Sequence, residues 1–202
     1  MDPTIWSVQA RNLPEHASNP IHTDEGGRAA GFDAALVAGV TVYAYLTRPI
    51  VEAWGPEWLA DGGALVEFLA PVQARDLIDC VPEAPTETGS VEVMALVGGD
   101  ARARCTAWPE SPDGVDRGRP LNEQLEPHVE PLTGGWADYG LRAGDDLDLY
   151  AEAGIVHPAV WPALANGVVT RHLVDGAWIH TRSRIRHHGV ARVGAVATVQ
   201  AT

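Results

Sequence analysis

The sequence predicts an α+β fold in which an antiparallel sheet wraps around one long buried helix, and two observations lead to that class. In the first, the apolar and aromatic residues from Ala34 to Trp54 surround a helix instead of lining one stripe, as is typical of a buried helix. In the second, the hydrophobic period changes after this segment from the helical value to two. A helix that is apolar on every side needs the sheet that follows it as a cover.

Each element of the first half has its own local signal. Ile5 to Arg11 is rich in β-formers and predicts an opening strand. Thr23 is an N-cap followed by two acidic residues, which favours a short helix ending near Gly31. Pro49 costs a helix interior ~3 kcal/mol, so we expect a kink or restart there and an end at Gly55. The period-two segments predict four further strands: Ala64 to Val72, Asp76 to Val81, Ser90 to Val97 and Ala101 to Trp108.

The chain also contains an internal repeat of element types. An offset of 118 residues lays Gly39 to Val72 over His157 to Val190 without a gap. We therefore predict a first unit over residues 1–112, a Gly- and Pro-rich linker over 113–135 and a second unit over 136–202. Two unrelated α+β pieces with coincident spacing remain the alternative. The matched segments are Val40 to Val51 with Pro158 to Val169, Ala64 to Val72 with Arg182 to Val190, and Asp76 to Val81 with Gly194 to Val199.

Composition and charge narrow the function classes. The 202 residues carry a formal charge of −13, which argues against a nucleic-acid partner. The longest apolar stretch, Ala34 to Leu46, is shorter than the ~20 residues that span a bilayer, so we expect no membrane partner and a cytoplasmic location. Cys80 and Cys105 have no partner at ligand spacing, and we expect reduced core cysteines and no metal site.

One motif in the first half carries chemical information. Asn19-Pro20-Ile21-His22 is followed by Gly31-Phe32, which leads into Leu36-Val37-Ala38-Gly39-Val40. This arrangement resembles the MaoC-like hydratases and dehydratases, which have the hot-dog fold and the motif Gly-Asp-x-Asn-Pro-aliphatic-His. The family includes double hot-dog proteins with two such units in one chain, so the resemblance covers essentially the whole sequence.

The resemblance implies a reaction and a set of site residues. Members of the family add water to acyl thioesters, usually acyl-CoA, or remove it, and nothing in the sequence points to a cofactor. Such chemistry needs a base for water, an acid for the α-carbon and a donor for the thioester oxygen. By position, His22 matches the motif histidine, Asn19 and Pro20 match their counterparts, and Gly39 matches the glycine whose N–H polarises the thioester carbonyl.

The motif also departs from the family pattern. The positions of the motif glycine and aspartate are occupied here by His16 and Ala17, and alanine can neither orient water nor share a proton. The second half has Gly144-Asp145 but places Tyr150 where the histidine belongs. A split site that joins His22 to Asp145 across the two units is therefore one hypothesis, with Asp145 as a solvated loop residue as its alternative.

Charged residues outside the motif have two interpretations. Arg182, Arg184 and Arg186 share one face of a predicted strand and would suit the phosphates of CoA. The alternative is a solvated face, or a row paired with carboxylates of the first half. Asp24 fits a helix start better than a replacement base.

The leading interpretation is thus an acyl-thioester hydratase or dehydratase, acting on enoyl-CoA or 3-hydroxyacyl-CoA, with an altered motif. The alternatives are a non-catalytic module that binds an acyl-CoA or acyl-carrier thioester or assists a partner subunit, and a thioesterase. On the 118-residue offset the second unit stops two strands short. Either the sequence is truncated, or another chain completes the sheet edge, which favours a homodimer or a hetero-oligomer with another hot-dog chain.

Overall fold

The computed structural model describes residues 1–110, 125–176 and 178–201. One antiparallel sheet contains six strands in the order β1-β3-β4-β5-β2-β7, and a separate pair joins β6 to β8. The first five strands follow the predicted order along the chain. They are β1 (Trp6–Gln9), β2 (Gly63–Phe68), β3 (Leu77–Pro82), β4 (Val91–Val97) and β5 (Asp100–Trp108).

The long helix α2 (Gly39–Trp54) is the core of the first unit, and every residue from Val40 to Val51 is buried. The predicted start at Ala34 is wrong, because residues 34–38 are not helical: Leu36 forms an isolated bridge with Gln73, and the N–H of Val37 donates to the carbonyl of Val72. The helix runs through Pro49 without the predicted restart, since packing on every side outweighs the local cost of the proline. It ends at Gly55, whose φ of 75° is favourable for glycine.

Three short helical segments lie between β1 and α2. Two 3₁₀ turns, Pro14–His16 and Pro20–His22, precede α1 (Asp24–Ala29). Thr23 caps α1 as predicted, since its hydroxyl oxygen accepts the N–H of Gly26. A four-residue helix, α3 (Trp58–Asp61), follows α2.

The second unit repeats the order of the first. Its main elements are β6 (His128–Pro131), α7 (Val160–His172), β7 (Arg182–Arg186) and β8 (Val196–Val199), with the short helices α4 (Gly134–Ala137), α5 (Tyr139–Ala143) and α6 (Leu149–Ala153) between β6 and α7. At the 118-residue offset α7, β7 and β8 match α2, β2 and β3. β6 lies inside the predicted linker, where it pairs with β8, and residues 111–124 of that linker lie outside the described residues.

The two units join edge to edge through the strands that the repeat matches. β2 pairs antiparallel with β7, and Leu65 lies opposite Arg184. The helices α2 and α7 are also in contact. Within the described residues no strand follows β8, so counterparts of β4 and β5 are absent from that part of the second unit.

The structure also bears on the expectations of reduced core cysteines and of no membrane partner. Cys80 and Cys105 are free thiols buried in the core, as predicted, and burial raises the pKa of Cys105 to about 12. Among the described helices none has the length and apolar character needed to cross a membrane.

Candidate functional site

A cavity of about 620 Å³ lies at the junction of the two units. The first unit contributes the loop before α1, the start of α2 and the chain that continues from β2. The second unit contributes one face of α7 and the segment 178–181. The residues on its wall that matter below are His16, Asn19, His22, Gly39, Phe68, Arg102, His128, Arg171 and His180.

The ring of His22 is oriented by a hydrogen bond to the backbone. Its Nδ1 lies 2.9 Å from the carbonyl oxygen of Leu36, and because a carbonyl only accepts, Nδ1 carries the proton. Nε2 therefore keeps its lone pair and has no protein partner among the described residues. Burial lowers the pKa of His22, against the opposing effect of the Leu36 carbonyl. The lowered pKa favours the neutral imidazole, whose Nε2 can act as a base.

Asn19 links the motif loop to the second unit. Its side-chain N–H donates to the carbonyl oxygen of Trp178 over 2.9 Å. The amide oxygen is buried and has no hydrogen-bond partner in the described part of the chain. Pro20 begins the 3₁₀ turn that presents His22. Asn19 therefore positions the segment 178–181 and offers one free acceptor near the cavity.

Gly39 is the first residue of α2, where the backbone N–H groups of a helix have no intrahelical partner. A Cβ at this position would lie 3.1 Å from Cζ of Phe68 and 3.5 Å from Cβ of His180. Glycine is thus the residue that leaves the helix N-terminus open to a ligand atom, and the helix dipole favours negative charge there.

His16, which sequence reasoning did not select, brings a second imidazole to the cavity. Its Nε2 lies 2.8 Å from Oη of Tyr139 in the second unit, and that oxygen lies 2.8 Å from Oγ1 of Thr41 on α2. The rings of His16 and His22 have centroids 6.3 Å apart. Burial lowers the pKa of His16 to about 4, although the charge of Glu15 acts in the opposite direction. The exposed Ala17 beside it does not reach the cavity wall.

His180 is a third imidazole on the wall. Its Nε2 lies 2.7 Å from Oγ of Ser183, and its ring packs against Phe68 with centroids 4.9 Å apart. Burial lowers its pKa. Because this residue packs beside Gly39 from the second unit, the start of α2 is enclosed by both units.

Asp145 is buried away from this cavity. Its Oδ1 accepts the N–H groups of Asp146 and Leu147 and lies 3.4 Å from Nε of Arg48. Burial raises its pKa to about 6, although these partners act in the opposite direction. Arg48 is nine residues beyond Gly39 on α2, about 13 Å along the axis. The structure therefore does not bring Asp145 to His22.

The arginine row lies on β7 as the alternation predicted, but it does not line the cavity. Ile185 between these residues is buried against the core, so the row faces the opposite side of the sheet. The guanidinium of Arg184 lies 5.5 Å from the ring centroid of Trp108. Asp24, expected at a helix start, accepts the N–H of Ala35 and is the first residue of α1.

Comparison with known proteins gives matches among solved structures. No protein-family model and no curated protein matches the sequence. An oleoyl thioesterase from Lactobacillus plantarum has a TM-score of 0.53 at 10% identity, over 98% of this chain and 84% of its own. Full-length peroxisomal multifunctional enzyme type 2 from Drosophila melanogaster has a TM-score of 0.52 at 12% identity, over 96% and 42%.

A third structure is less similar. A MaoC-like dehydratase from Phytophthora capsici has a TM-score of 0.42 at 13% identity, over 68% of this chain and 59% of its own. The chain thus spans less than two thirds of the Drosophila and Phytophthora proteins. At these identities the comparisons bear on the fold alone. The first two superpositions, and the antiparallel sheet packed on the buried helix α2, show that this chain has the hot-dog fold.

Proposed function

We propose that this protein is an acyl-thioester hydratase or dehydratase in which His22 moves the proton. The observation that carries the proposal is the orientation of His22, which gives Nδ1–H to Leu36 and leaves Nε2 free at the cavity. The substrate pair is a 2-enoyl thioester and its 3-hydroxyacyl counterpart, on CoA or on an acyl carrier.

A single imidazole can carry out both proton transfers of the hydration. Nε2 of His22 takes a proton from water as the water oxygen bonds to the β-carbon. The electron pair of the double bond moves to the thioester oxygen, where the backbone N–H of Gly39 stabilises the enolate. The enolate re-forms its carbonyl as the α-carbon takes the proton from Nε2. Because the same imidazole removes the proton from water and delivers it to the α-carbon, the hydroxyl group and the proton add to the same face of the double bond.

The family's motif has an aspartate at the position of Ala17, and here His16 supplies the second acceptor for the catalytic water. If Nε2–H of His16 donates to Tyr139 and Tyr139 donates to Thr41, Nδ1 of His16 is left as an acceptor. A water between the two rings then donates one O–H to His16 and the other to His22. The lowered pKa of His16, about 4, keeps this acceptor available at neutral pH.

Thioester hydrolysis is a second candidate, and the similarity to the oleoyl thioesterase fold favours testing it. The same His22 would direct water to the carbonyl carbon instead of the β-carbon, with loss of the thiol. The cavity contacts are compatible with attack of water on the β-carbon or on the carbonyl carbon. The two reactions are therefore distinguished by their products.

One experiment separates the two reactions. The protein is incubated with crotonyl-CoA and longer enoyl-CoAs, while loss of the enoyl absorbance and release of free thiol are followed in parallel. We expect loss of the enoyl absorbance in the wild type and in His188→Ala, whose exposed imidazole lies off this cavity. His22→Ala should lose this activity. If neither the wild type nor His22→Ala hydrates any thioester of the panel, the proposed hydratase activity is wrong. Release of free thiol that depends on His22 would identify thioester hydrolysis as the reaction instead.

A further inference from the structure

Two arginines on the cavity wall have no close carboxylate partner in the described part of the chain. Arg102 on β5 has a buried Nε without a hydrogen bond, and the carboxylate oxygen nearest to its guanidinium belongs to the exposed Asp100 at 4.0 Å. Among the described residues, the hydrogen bonds of Arg171 on α7 go to a backbone carbonyl and to an imidazole. Both side chains line the cavity.

Arg171 is held in place without being neutralised. Its Nε donates to the carbonyl oxygen of Gly167 over 2.9 Å, and Nη1 lies 2.8 Å from Nδ1 of His128. Since a guanidinium only donates, Nδ1 of His128 accepts and its proton is on Nε2, which lies 3.5 Å from a carboxylate oxygen of Glu130. The His128 ring therefore lies between the acid and the guanidinium, and the other N–H groups of Arg171 have no hydrogen-bond partner among the described residues.

The charge around the cavity is unusual for this protein. The chain has 27 acidic and 14 basic residues, yet Glu15 is the one carboxylate on the described wall of the cavity, and Arg142 binds it at 2.8 Å. Surplus carboxylates exist throughout the sequence, but none is placed against Arg102 or Arg171 at short range. A cavity wall with more arginine than carboxylate attracts an anionic ligand electrostatically.

We propose that Arg171 and Arg102 form a subsite for an oxyanion of the thioester substrate. The inference rests on the proposed function. The anion is either a phosphate of the CoA or phosphopantetheine carrier or a carboxylate on the acyl chain, because both offer the paired oxygens that a guanidinium binds in bidentate fashion. The arginine row on β7, off the cavity, is not needed for this contact.

Binding of thioesters that cannot be hydrated tests the subsite separately from turnover. Butyryl-CoA, butyryl-pantetheine and succinyl-pantetheine are titrated by calorimetry into the wild type, Arg171→Gln and Arg102→Gln. The first ligand carries phosphates, the second carries no anion and the third carries only an acyl carboxylate. Arg104→Gln is the matched control, because Arg104 is on β5 beside Arg102 but pairs with Glu67 outside the cavity.

We expect the wild type to bind one of the two anionic ligands at least about ten-fold more tightly than butyryl-pantetheine, and both cavity variants to lose that preference. Preference for butyryl-CoA identifies a carrier phosphate, and preference for succinyl-pantetheine identifies an acyl carboxylate. The preference should survive in Arg104→Gln. Equal binding of all three ligands by the wild type, or a preference unchanged in both cavity variants, would overturn the subsite.

Failure of the hydration reaction leaves this result readable, since no ligand in the panel has a double bond to hydrate. Release of free thiol is followed during each titration, so that binding is compared only where the thioester stays intact. Thermal unfolding of each variant checks that it is folded. Arg171→Lys keeps the charge without the planar fork and should weaken anion binding less than Arg171→Gln does. If Arg171→Gln does not fold, retention of the full anion preference in Arg171→Lys and Arg102→Gln would contradict the proposal.

Discussion

Removing the hydroxyl of Tyr139 tests how the two units hold the candidate site together. In Tyr139→Phe, both Nε2 of His16 and Oγ1 of Thr41 lose a hydrogen bond of 2.8 Å. Each such bond contributes about 0.5–1.5 kcal/mol net, and Thr41 can turn its hydroxyl to a helix carbonyl to recover part of its share. We therefore expect the free energy of unfolding to fall by about 1–2 kcal/mol.

The same variant should lose turnover beyond its loss of stability. His16 no longer has a partner for Nε2, so its Nδ1 is not fixed as an acceptor for water. Urea unfolding gives the stability change, and a drop in melting temperature of about 2–4 °C per kcal/mol is expected for a chain of this size. Hydration of crotonyl-CoA, measured where the protein is fully folded, should fall in kcat with little change in KM.

Tyr43→Phe is the matched control. Tyr43 is fully buried, like Tyr139, but its hydroxyl has no hydrogen-bond partner in the described part of the chain. Removing that hydroxyl should leave the free energy of unfolding unchanged or raise it slightly. If Tyr139→Phe is as stable and active as the wild type, or if Tyr43→Phe costs as much, the hydrogen-bond chain from Thr41 to His16 does not have the role given to it.

Three other predictions follow from the same geometry. Gly39→Ala should cut turnover at least about ten-fold, because its Cβ would crowd Phe68 at 3.1 Å and narrow the helix N-terminus; a rate equal to wild type in the enoyl assay would argue against the oxyanion role. The pKa of His16 falls from 6.5 to about 4 on folding, so the unfolded chain binds more protons in this window and the free energy of unfolding should decrease as the pH is lowered through it. Urea titrations should show a shallower pH slope in His16→Gln, and an unchanged slope would contradict the assignment. Asp145→Asn should keep turnover within about two-fold, since Asp145 pairs with Arg48 off the cavity; a loss like that of His22→Ala would restore the split site.

Local sequence signals predicted much of the scaffold. The apolar surround of α2 and the period-two strands are properties of short segments, and the order of β1 to β5 follows from them. The 118-residue offset matched α7 to α2 without structural information. The start of α2 was misplaced, because Ala34 and Val37 are buried in a segment that is not helical, and apolar character alone does not separate a buried helix from a buried loop.

Complete prediction of the site would have required contacts between residues that are far apart in the sequence. His22, Asn19 and Gly39 were found because the motif places them close together along the chain. His16 was passed over because the family has glycine there, and its partner Tyr139 is 123 residues away. The pairing of Asp145 with Arg48 likewise joins distant segments. Alternation showed that Arg182 and Arg184 share a face, but only the burial of Ile185 decides which side of the sheet that face is on.

Hydration of crotonyl-CoA in D₂O by the wild type and by His22→Ala tests the central claim most directly. We expect the wild type to form 3-hydroxybutyryl-CoA with deuterium at the α-carbon on the same face as the new hydroxyl, and NMR coupling constants report that configuration. His22→Ala should retain at most about 1% of that rate, the loss expected when an acid-base group is removed. Anti addition by the wild type, no hydration at all, or a wild-type rate in His22→Ala would contradict the claim that His22 carries the proton.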